Sequence, residues 1–144
     1  MSNEIQVVLN ITVRSNLLEY VPRPTAFQMD IENAGGPTPG EITVPTTGID
    51  VNLAQLTTPG LCRMMNLSNS YHVEYGIHDG SVFHPLGELP PATAAPGKPF
   101  LLYLSRNLGE EHVIAGTGTT GTVNTFHMKA YGGSAKVLVE VFER

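Results

Sequence analysis

Tryptophan is absent from this sequence of 144 residues, cysteine occurs once, and charged residues make up only 15% of the chain. Because a typical globular protein has about 25% charged residues, the surface of this one is weakly charged. The single cysteine, Cys62, excludes any disulfide within the chain and suits folding in a reducing compartment. Cys62 lies in the mostly apolar segment Leu61–Met65, which indicates a buried structural thiol rather than a nucleophile.

Basic residues are also scarce. The 8 Lys and Arg residues stand against 13 Asp and Glu residues, the net charge is -5, and nowhere do the basic residues cluster. Binding to nucleic acid or to an anionic membrane surface needs a basic patch, so we expect neither partner. The first residues lack the features of a signal peptide, and no apolar run approaches the ~20 residues that cross a membrane.

Turn-forming and β-branched residues are abundant, with 15 Gly, 11 Pro and 14 Thr. Residues 1–14 alternate between apolar and polar, which predicts an amphipathic N-terminal strand. Its apolar face comprises Ile5, Val7, Leu9, Ile11 and Val13. Such a strand either completes the sheet of its own chain or is shared with a neighbouring subunit, and the pattern does not separate the two.

Two hairpins are predicted where turn residues lie between alternating arms. In the segment Tyr71–Leu86, the dipeptide Asp-Gly at residues 79–80 favours a two-residue type I′ turn. The register that follows pairs Tyr75 with His84 and turns both side chains toward the core.

The second predicted hairpin lies at the end of the sequence. Its arms are Val123–Tyr131 and Ser134–Phe142, joined by two glycines, and pairing across it places Phe126 on an apolar face. The same register sets Lys129 opposite Lys136, which is mildly unfavourable.

Three segments rich in Gly or Pro are predicted to be loops: Asn33–Gly40, Glu88–Pro99 and Gly116–Thr122. No segment keeps the 3.6-residue apolar period of a helix over three turns. About nine or ten short strands separated by such turns are typical of a sandwich, jelly roll or barrel. The sequence therefore predicts a single all-β domain over residues 1–144, folded as a jelly-roll-like antiparallel β-sandwich.

Histidines are the first candidates for chemistry. His72, Glu74 and His78 fall on one face of the first predicted hairpin, and a transition metal could bind such a set. Cupins, which are jelly-roll metalloenzymes, have His-x-His in their first motif, whereas this sequence has His-Val-Glu at residues 72–74. We therefore interpret the three as polar residues on a solvated face of a sheet.

The remaining candidates have less support. His84 is expected to face the core, and His112 and His127 lie on different predicted strands with nothing local to orient them. The adjacent carboxylates at residues 110 and 111 would point apart, no Gly-x-Ser-x-Gly elbow is present, and Gly116–Thr122 lacks the Gly-Lys-Ser/Thr ending of a phosphate-binding loop. We predict no catalytic, cofactor-binding or metal-binding residue and no enzymatic activity. A cupin-like metalloenzyme and a carbohydrate-binding module stay open as alternatives.

The middle of the chain, residues 42–105, has a recurring order of turns and strands. A Pro-Gly turn at residues 59–60 enters a strand that ends in Asn, a polar turn follows, and a second Pro-Gly at residues 96–97 precedes an apolar strand. The segments that carry this order are Ile49–Leu53, Thr58–Leu61, Met65–Asn69, Val73–Gly76, Phe83–Leu89, Pro96–Lys98 and Phe100–Leu104. The order resembles that of small β-sandwich structural proteins encoded among the virion genes of tailed bacteriophages.

That resemblance implies a non-enzymatic virion structural protein, in the first place a capsid decoration or cement protein that binds and stabilises the phage head. Its partners would be the major capsid protein or other virion proteins. A homo-oligomer would suit the symmetry of a capsid, with a trimer as the first expectation. Localisation in the virion follows, after assembly in the host cytoplasm. A tail, neck or fibre-associated module is the alternative.

Overall fold

Twelve strands and no helix make up the described part of the chain in the computed structural model, namely residues 5–10, 12–29, 36–93, 100–104 and 125–143. The strands are β1 (Ile5–Leu9), β2 (Val13–Ser15), β3 (Leu18–Tyr20), β4 (Thr25–Met29), β5 (Thr38–Val44), β6 (Ile49–Asp50), β7 (Pro59–Asn66), β8 (His72–His78), β9 (Phe83–Leu89), β10 (Phe100–Tyr103), β11 (Thr125–Tyr131) and β12 (Ala135–Glu143). The all-β class predicted from the sequence is confirmed.

The chain divides into two compact units, Met1–Asn33 and Ala34–Arg144. The second unit holds β5 to β12 in two four-stranded sheets, with strand orders β10-β7-β12-β5 and β6-β11-β8-β9. All the described pairings in both sheets are antiparallel. The organisation of residues 1–144 as one domain stays a prediction.

The connectivity of the second unit is that of a jelly roll. β5 pairs with β12, β6 with β11, β7 with β10, and β8 with β9. The first strand of the eight therefore pairs with the last, the second with the seventh, and so on to the centre, as in a long hairpin wound into two sheets. The predicted jelly-roll-like sandwich is confirmed.

One apolar cluster between the two sheets forms the core of the second unit. Strands buried on one face alternate between inward and outward side chains, and β12 follows this rule along most of its length. The strand residues in the cluster are Val44, Cys62, Met64, Ala135, Val137, Val139 and Val141 from the first sheet, and Val73, Tyr75, Leu89, Phe126, Met128 and Ala130 from the second. Both sheets contribute, so the core is that of a sandwich.

The predicted hairpin at the end of the sequence is wrong. β11 pairs with β8 and β6, whereas β12 pairs with β7 and β5, so the chain crosses from one sheet to the other. A hairpin and such a crossing bury the same apolar faces, and apolar alternation therefore cannot distinguish them. The crossing also separates the two lysines, since Lys129 pairs with Glu74 and Lys136 with Thr43.

The β8–β9 hairpin forms, but its predicted two-residue turn is wrong. Residues 79–82 make a four-residue loop, and His78 pairs with Phe83. The Asp79 carboxylate accepts hydrogen bonds from the backbone N–H groups of Ser81 (2.8 Å) and Val82 (2.7 Å). Asp commonly fixes turns in this way, and here the contacts favour the longer loop.

A β-bulge then shifts the register of this hairpin again. Gly76 pairs with Pro85 and Tyr75 with Gly87, which leaves Leu86 without a partner and 64% exposed. Gly87 lies against the Tyr75 ring, where a Cβ atom would approach the phenolic oxygen to 2.2 Å. The strand continues to residue 89, so the predicted loop Glu88–Pro99 begins too early; residues 94–99 lie outside the described residues.

β5 begins inside the segment Asn33–Gly40 that was predicted to be a loop. It includes Pro39 and Gly40 because it is an edge strand, paired only with β12 within the described sheet. An edge strand tolerates proline because one side of its backbone makes no ladder hydrogen bonds.

The first unit does not contain the single N-terminal strand predicted for residues 1–14. The described part of that segment forms two strands, β1 and β2, which belong to different two-stranded sheets. β1 pairs with β4, while β2 pairs locally with β3 through a short turn at residues 16–17. An exposed ion pair between Arg14 and Glu19 (3.2 Å) lies across this hairpin. Local pairing thus replaces the continuous strand that was predicted.

Candidate functional site

Exposed apolar side chains are concentrated in the first unit. Its large exposed hydrophobic residues are Val8, Leu9, Val13, Leu17, Tyr20, Val21 and Phe27, and Leu17 is 99% exposed. Among the described residues, none of this unit belongs to the main core cluster, and Val7 alone is a buried hydrophobic residue. Clusters of exposed apolar residues mark surfaces that bind other proteins.

Cross-strand pairing brings some of these side chains next to other apolar residues. Val13 lies directly opposite Tyr20 on the β2–β3 hairpin, and both are exposed. On the other sheet, Val8 lies opposite Ala26. A two-stranded sheet by itself is marginally stable in water, so both sheets would gain from further packing.

The edges of β1 and β4 are open to further pairing. These strands pair only with each other among the described strands, and neither Ile5–Leu9 nor Thr25–Met29 contains proline or a charged residue. In the sandwich, the seven-residue edge strands β5 and β9 contain Pro39 and Pro85. Proline and charge are the usual devices that prevent an edge from adding another strand, and β1 and β4 have neither.

A polar cluster missed by sequence reasoning surrounds His127 on the outer face of the second sheet. His127 Nδ1 lies 2.6 Å from Asp50 Oδ1, and the Thr125 hydroxyl donates to the same oxygen (2.7 Å). A Cβ atom on Gly48 would approach His127 Nε2 to 2.2 Å, so the backbone of residue 48 lies against that nitrogen. The ring is buried, Nδ1 is hydrogen-bonded, and the Nε2 side packs against residue 48, which suits a structural imidazole.

His78 joins this cluster instead of the predicted set with His72 and Glu74. The His78 ring centroid lies 4.9 Å from that of His127, and the ring centroid of Phe83, on β9, lies 5.0 Å from that of His127. His78 Nδ1 accepts the backbone N–H of Gly80 (3.0 Å). No group of three or more His, Cys, Asp or Glu side chains that could hold a metal ion occurs in the part of the chain that the structure describes.

The hydrogen bonds in this cluster favour the ionised form of the Asp50 carboxyl group. Burial raises the pKa of Asp50, but the hydrogen bonds from His127 and Thr125 together lower it by more. The pKa therefore lies below its usual value of 3.8. A depressed pKa stabilises the fold above the pKa of the unfolded chain, and this contribution is lost as pH falls through the folded value.

We therefore expect Asp50→Asn to lower the free energy of unfolding by roughly 1 kcal/mol at pH 7. This is less than the ~1.5–3 kcal/mol of a hydrogen bond to a buried charge, because the carboxylate is half exposed. The difference from the wild-type protein should shrink below about pH 4 and vanish once Asp50 is protonated. Urea denaturation at several pH values measures it, and an equal loss at pH 7 and pH 2 would contradict the assignment.

His72 and Glu74 meet a third residue, Tyr131, at the other end of the sheet. The His72 and Tyr131 rings stack with centroids 5.0 Å apart, and the Tyr131 hydroxyl donates to Glu74 Oε2 (2.6 Å). That hydrogen bond raises the pKa of Tyr131. Because the two rings cover each other, neither offers both of its faces to a sugar ring.

The remaining candidates have separate positions. His84 does not face the core as predicted. Its side chain is exposed, with Nε2 3.0 Å from Asp79 Oδ2, because its partner is Ile77 near the turn of the hairpin and not Tyr75 in the core. Hydrogen bonds from His84 and from the backbone of residues 82 and 81 lower the pKa of Asp79. Cys62 is buried, as predicted, and burial raises its pKa to about 12. Glu110, Glu111, His112 and the segment 116–122 lie outside the described residues.

Comparison with known protein families, with curated proteins and with solved structures finds no match to this chain. Among the described residues, no helix has the length and apolar character needed to cross a membrane.

Proposed function

We propose that this chain is a non-enzymatic virion structural protein of a tailed bacteriophage, which coats the capsid and cements its subunits together. The observation that carries the proposal is the apolar surface of the first unit, where seven large hydrophobic side chains are exposed, five on the two-stranded sheets and two in the adjoining turn and loop. An apolar surface of this kind is unfavourable when it is exposed to water and favourable when another protein covers it. The major capsid protein would be the partner, in the virion, after assembly in the host cytoplasm.

The jelly-roll topology supports this role by analogy. Eight-stranded jelly rolls form viral capsid and lectin domains as well as cupins. A fold alone does not determine function, so the analogy favours a set of roles, and the exposed apolar surface favours assembly within that set.

The sandwich suits a rigid body that binds through an attached surface. Its two long edge strands contain Pro39 and Pro85, which disfavour pairing with another sheet there. Few charges and a net charge of -5 give little electrostatic steering, so binding should depend on apolar contact and shape. Closed rotational symmetry is usual for homo-oligomers, and a capsid offers a symmetric lattice, so we expect the protein to bind it as a homo-oligomer.

The experiment tests binding to capsids and copy number together. Protein should copurify with intact virions in hundreds of copies and rebind to capsids stripped of it. Leu17→Ser with Tyr20→Ser should weaken rebinding at least tenfold, because both side chains are exposed in the first unit. Val82→Ser, which removes an exposed apolar side chain from the second unit, is the matched control and should bind normally.

Two results would contradict the decoration role. A dozen or fewer copies per virion would place the protein in the tail, neck or a fibre, which is the alternative assembly role. A chain that never copurifies with virions, and shows no affinity for stripped capsids, would exclude both roles.

A further inference from the structure

We propose that the open edge of β1 pairs with β1 of a second copy of this chain, about a two-fold axis, and so joins copies in pairs. The inference deepens the proposed assembly role and rests on it for its biological meaning. On a capsid, paired first units would connect neighbouring copies laterally, which is what cementing requires.

Two such two-stranded ribbons together make a sheet large enough to be stable. β1 and β4 form a two-stranded sheet, which is marginal in water, and at least three strands with an apolar face are needed for independent stability. Pairing β1 with its copy gives the order β4-β1-β1-β4. This four-stranded sheet satisfies that condition without any other protein.

The absence of charged residues from β1 also favours pairing with a second copy. An antiparallel β1–β1 pair centred on Val7 sets Ile5 opposite Leu9 and Gln6 opposite Val8, and no charged residue occurs in the strand. Like charges that face each other would oppose self-pairing, and here none do. The nearby charges of Arg14 and Glu19 are already paired within their own hairpin. The strand itself therefore sets no like charges against a second copy, and a strongly charged partner would gain nothing from it.

Exposed apolar side chains on these two strands, β1 and β4, also favour further pairing. They are Val8 (62% exposed), Leu9 (41%) and Phe27 (40%). In the β1–β1 pair, Val8 would lie diagonal to its copy and Leu9 opposite Ile5, so the second ribbon would bury part of this apolar surface.

The test uses the full chain with Val8→Lys and, separately, Val8→Glu, and measures mass by sedimentation. Two Val8 side chains would be diagonal neighbours across the β1–β1 pair, within reach of long side chains. Each single variant should sediment at half the mass of the wild-type protein, with self-association at least tenfold weaker. Mixing the two variants should restore the wild-type mass, because lysine and glutamate then meet across the axis. Leu86→Lys, at an equally exposed site of the sandwich, should keep the wild-type mass.

Each result has a defined meaning. If both variants keep the wild-type mass, or if mixing them restores nothing while circular dichroism and melting show intact folds, the β1 pairing is wrong. Mixing separates a second copy from any other occupant, since a foreign partner would not distinguish the mixture from either variant. Capsid rebinding is measured separately, so restored pairing without capsid binding overturns only the proposed function, and capsid binding without pairing overturns only this inference.

Discussion

Replacing Phe126 with alanine should lower the free energy of unfolding by about 3–5 kcal/mol. Phe126 lies on β11 with only 2% of its surface exposed, in the cluster that both sheets of the sandwich share. The substitution removes the largest fully buried side chain among the described residues, and it leaves a cavity that the neighbouring strands cannot fill without leaving their ladders. The loss therefore combines the transfer free energy of the ring with the cost of the cavity.

Leu86→Ala is the control for this substitution. Leu86 is also a large hydrophobic residue on a strand of the same sheet, but the bulge turns it outward, so its loss should stay within about ±0.5 kcal/mol. Urea denaturation of both variants measures the difference. Similar losses in the two would show that the inward and outward faces of this sheet are assigned wrongly.

Phe126 also shows what alternation in a sequence can and cannot predict. The two-residue apolar period correctly predicted that Phe126 and Val139 point into the core, because burial depends only on the face of the sheet to which a side chain points. It could not choose the partner of each strand, since β11 and β12 bury the same residues whether they pair together or lie in opposite sheets. The unfavourable Lys129–Lys136 pairing was the one local sign against the hairpin.

Register was beyond prediction for a different reason. The β8–β9 loop is fixed by hydrogen bonds to the Asp79 carboxylate, and the bulge at Leu86 places Gly87 beneath the Tyr75 ring. The loop and the bulge both depend on specific contacts in the folded chain, and the residue preferences of turns do not predict such contacts. The register differs by two residues from the predicted one, so His84 lies opposite Ile77 near the turn instead of opposite the buried Tyr75, and its side chain is exposed.

The candidate sites show the same limit at longer range. Asp50 and His127 are 77 positions apart and meet because β6 and β11 are neighbours, so no local motif could have shown the pair. In the first unit, alternation predicted a buried face, but burial needs a partner layer as well as a pattern. Leu9 and Val13 are exposed instead of buried, and for this reason we propose the first unit as an assembly surface.

The second large effect is expected at Asn66, at the end of β7. Asn66 is buried, and its Nδ2 donates to the carbonyl oxygens of Tyr71 (2.9 Å) and Leu89 (3.0 Å), while its Oδ1 accepts the Ser68 N–H (2.9 Å). β7 belongs to one sheet and Leu89 to the other, so this side chain connects the two. Asn66→Ala removes all three hydrogen bonds and leaves the buried Leu89 carbonyl and two partly buried backbone groups without these partners. The free energy of unfolding should therefore fall by roughly 2–4 kcal/mol.

Asn52→Ala provides the comparison, because the same residue type there makes one hydrogen bond, from the Ala54 N–H (3.0 Å), in an exposed turn. Water can replace that partner, so the loss at residue 52 should stay below about 1 kcal/mol. Thermal and urea unfolding of the two variants decide the matter. Since each is an Asn-to-Ala change, any difference in side-chain chemistry cancels, and only burial and the number of hydrogen bonds remain. Equal losses at the two positions would mean that Asn66 does not connect the sheets.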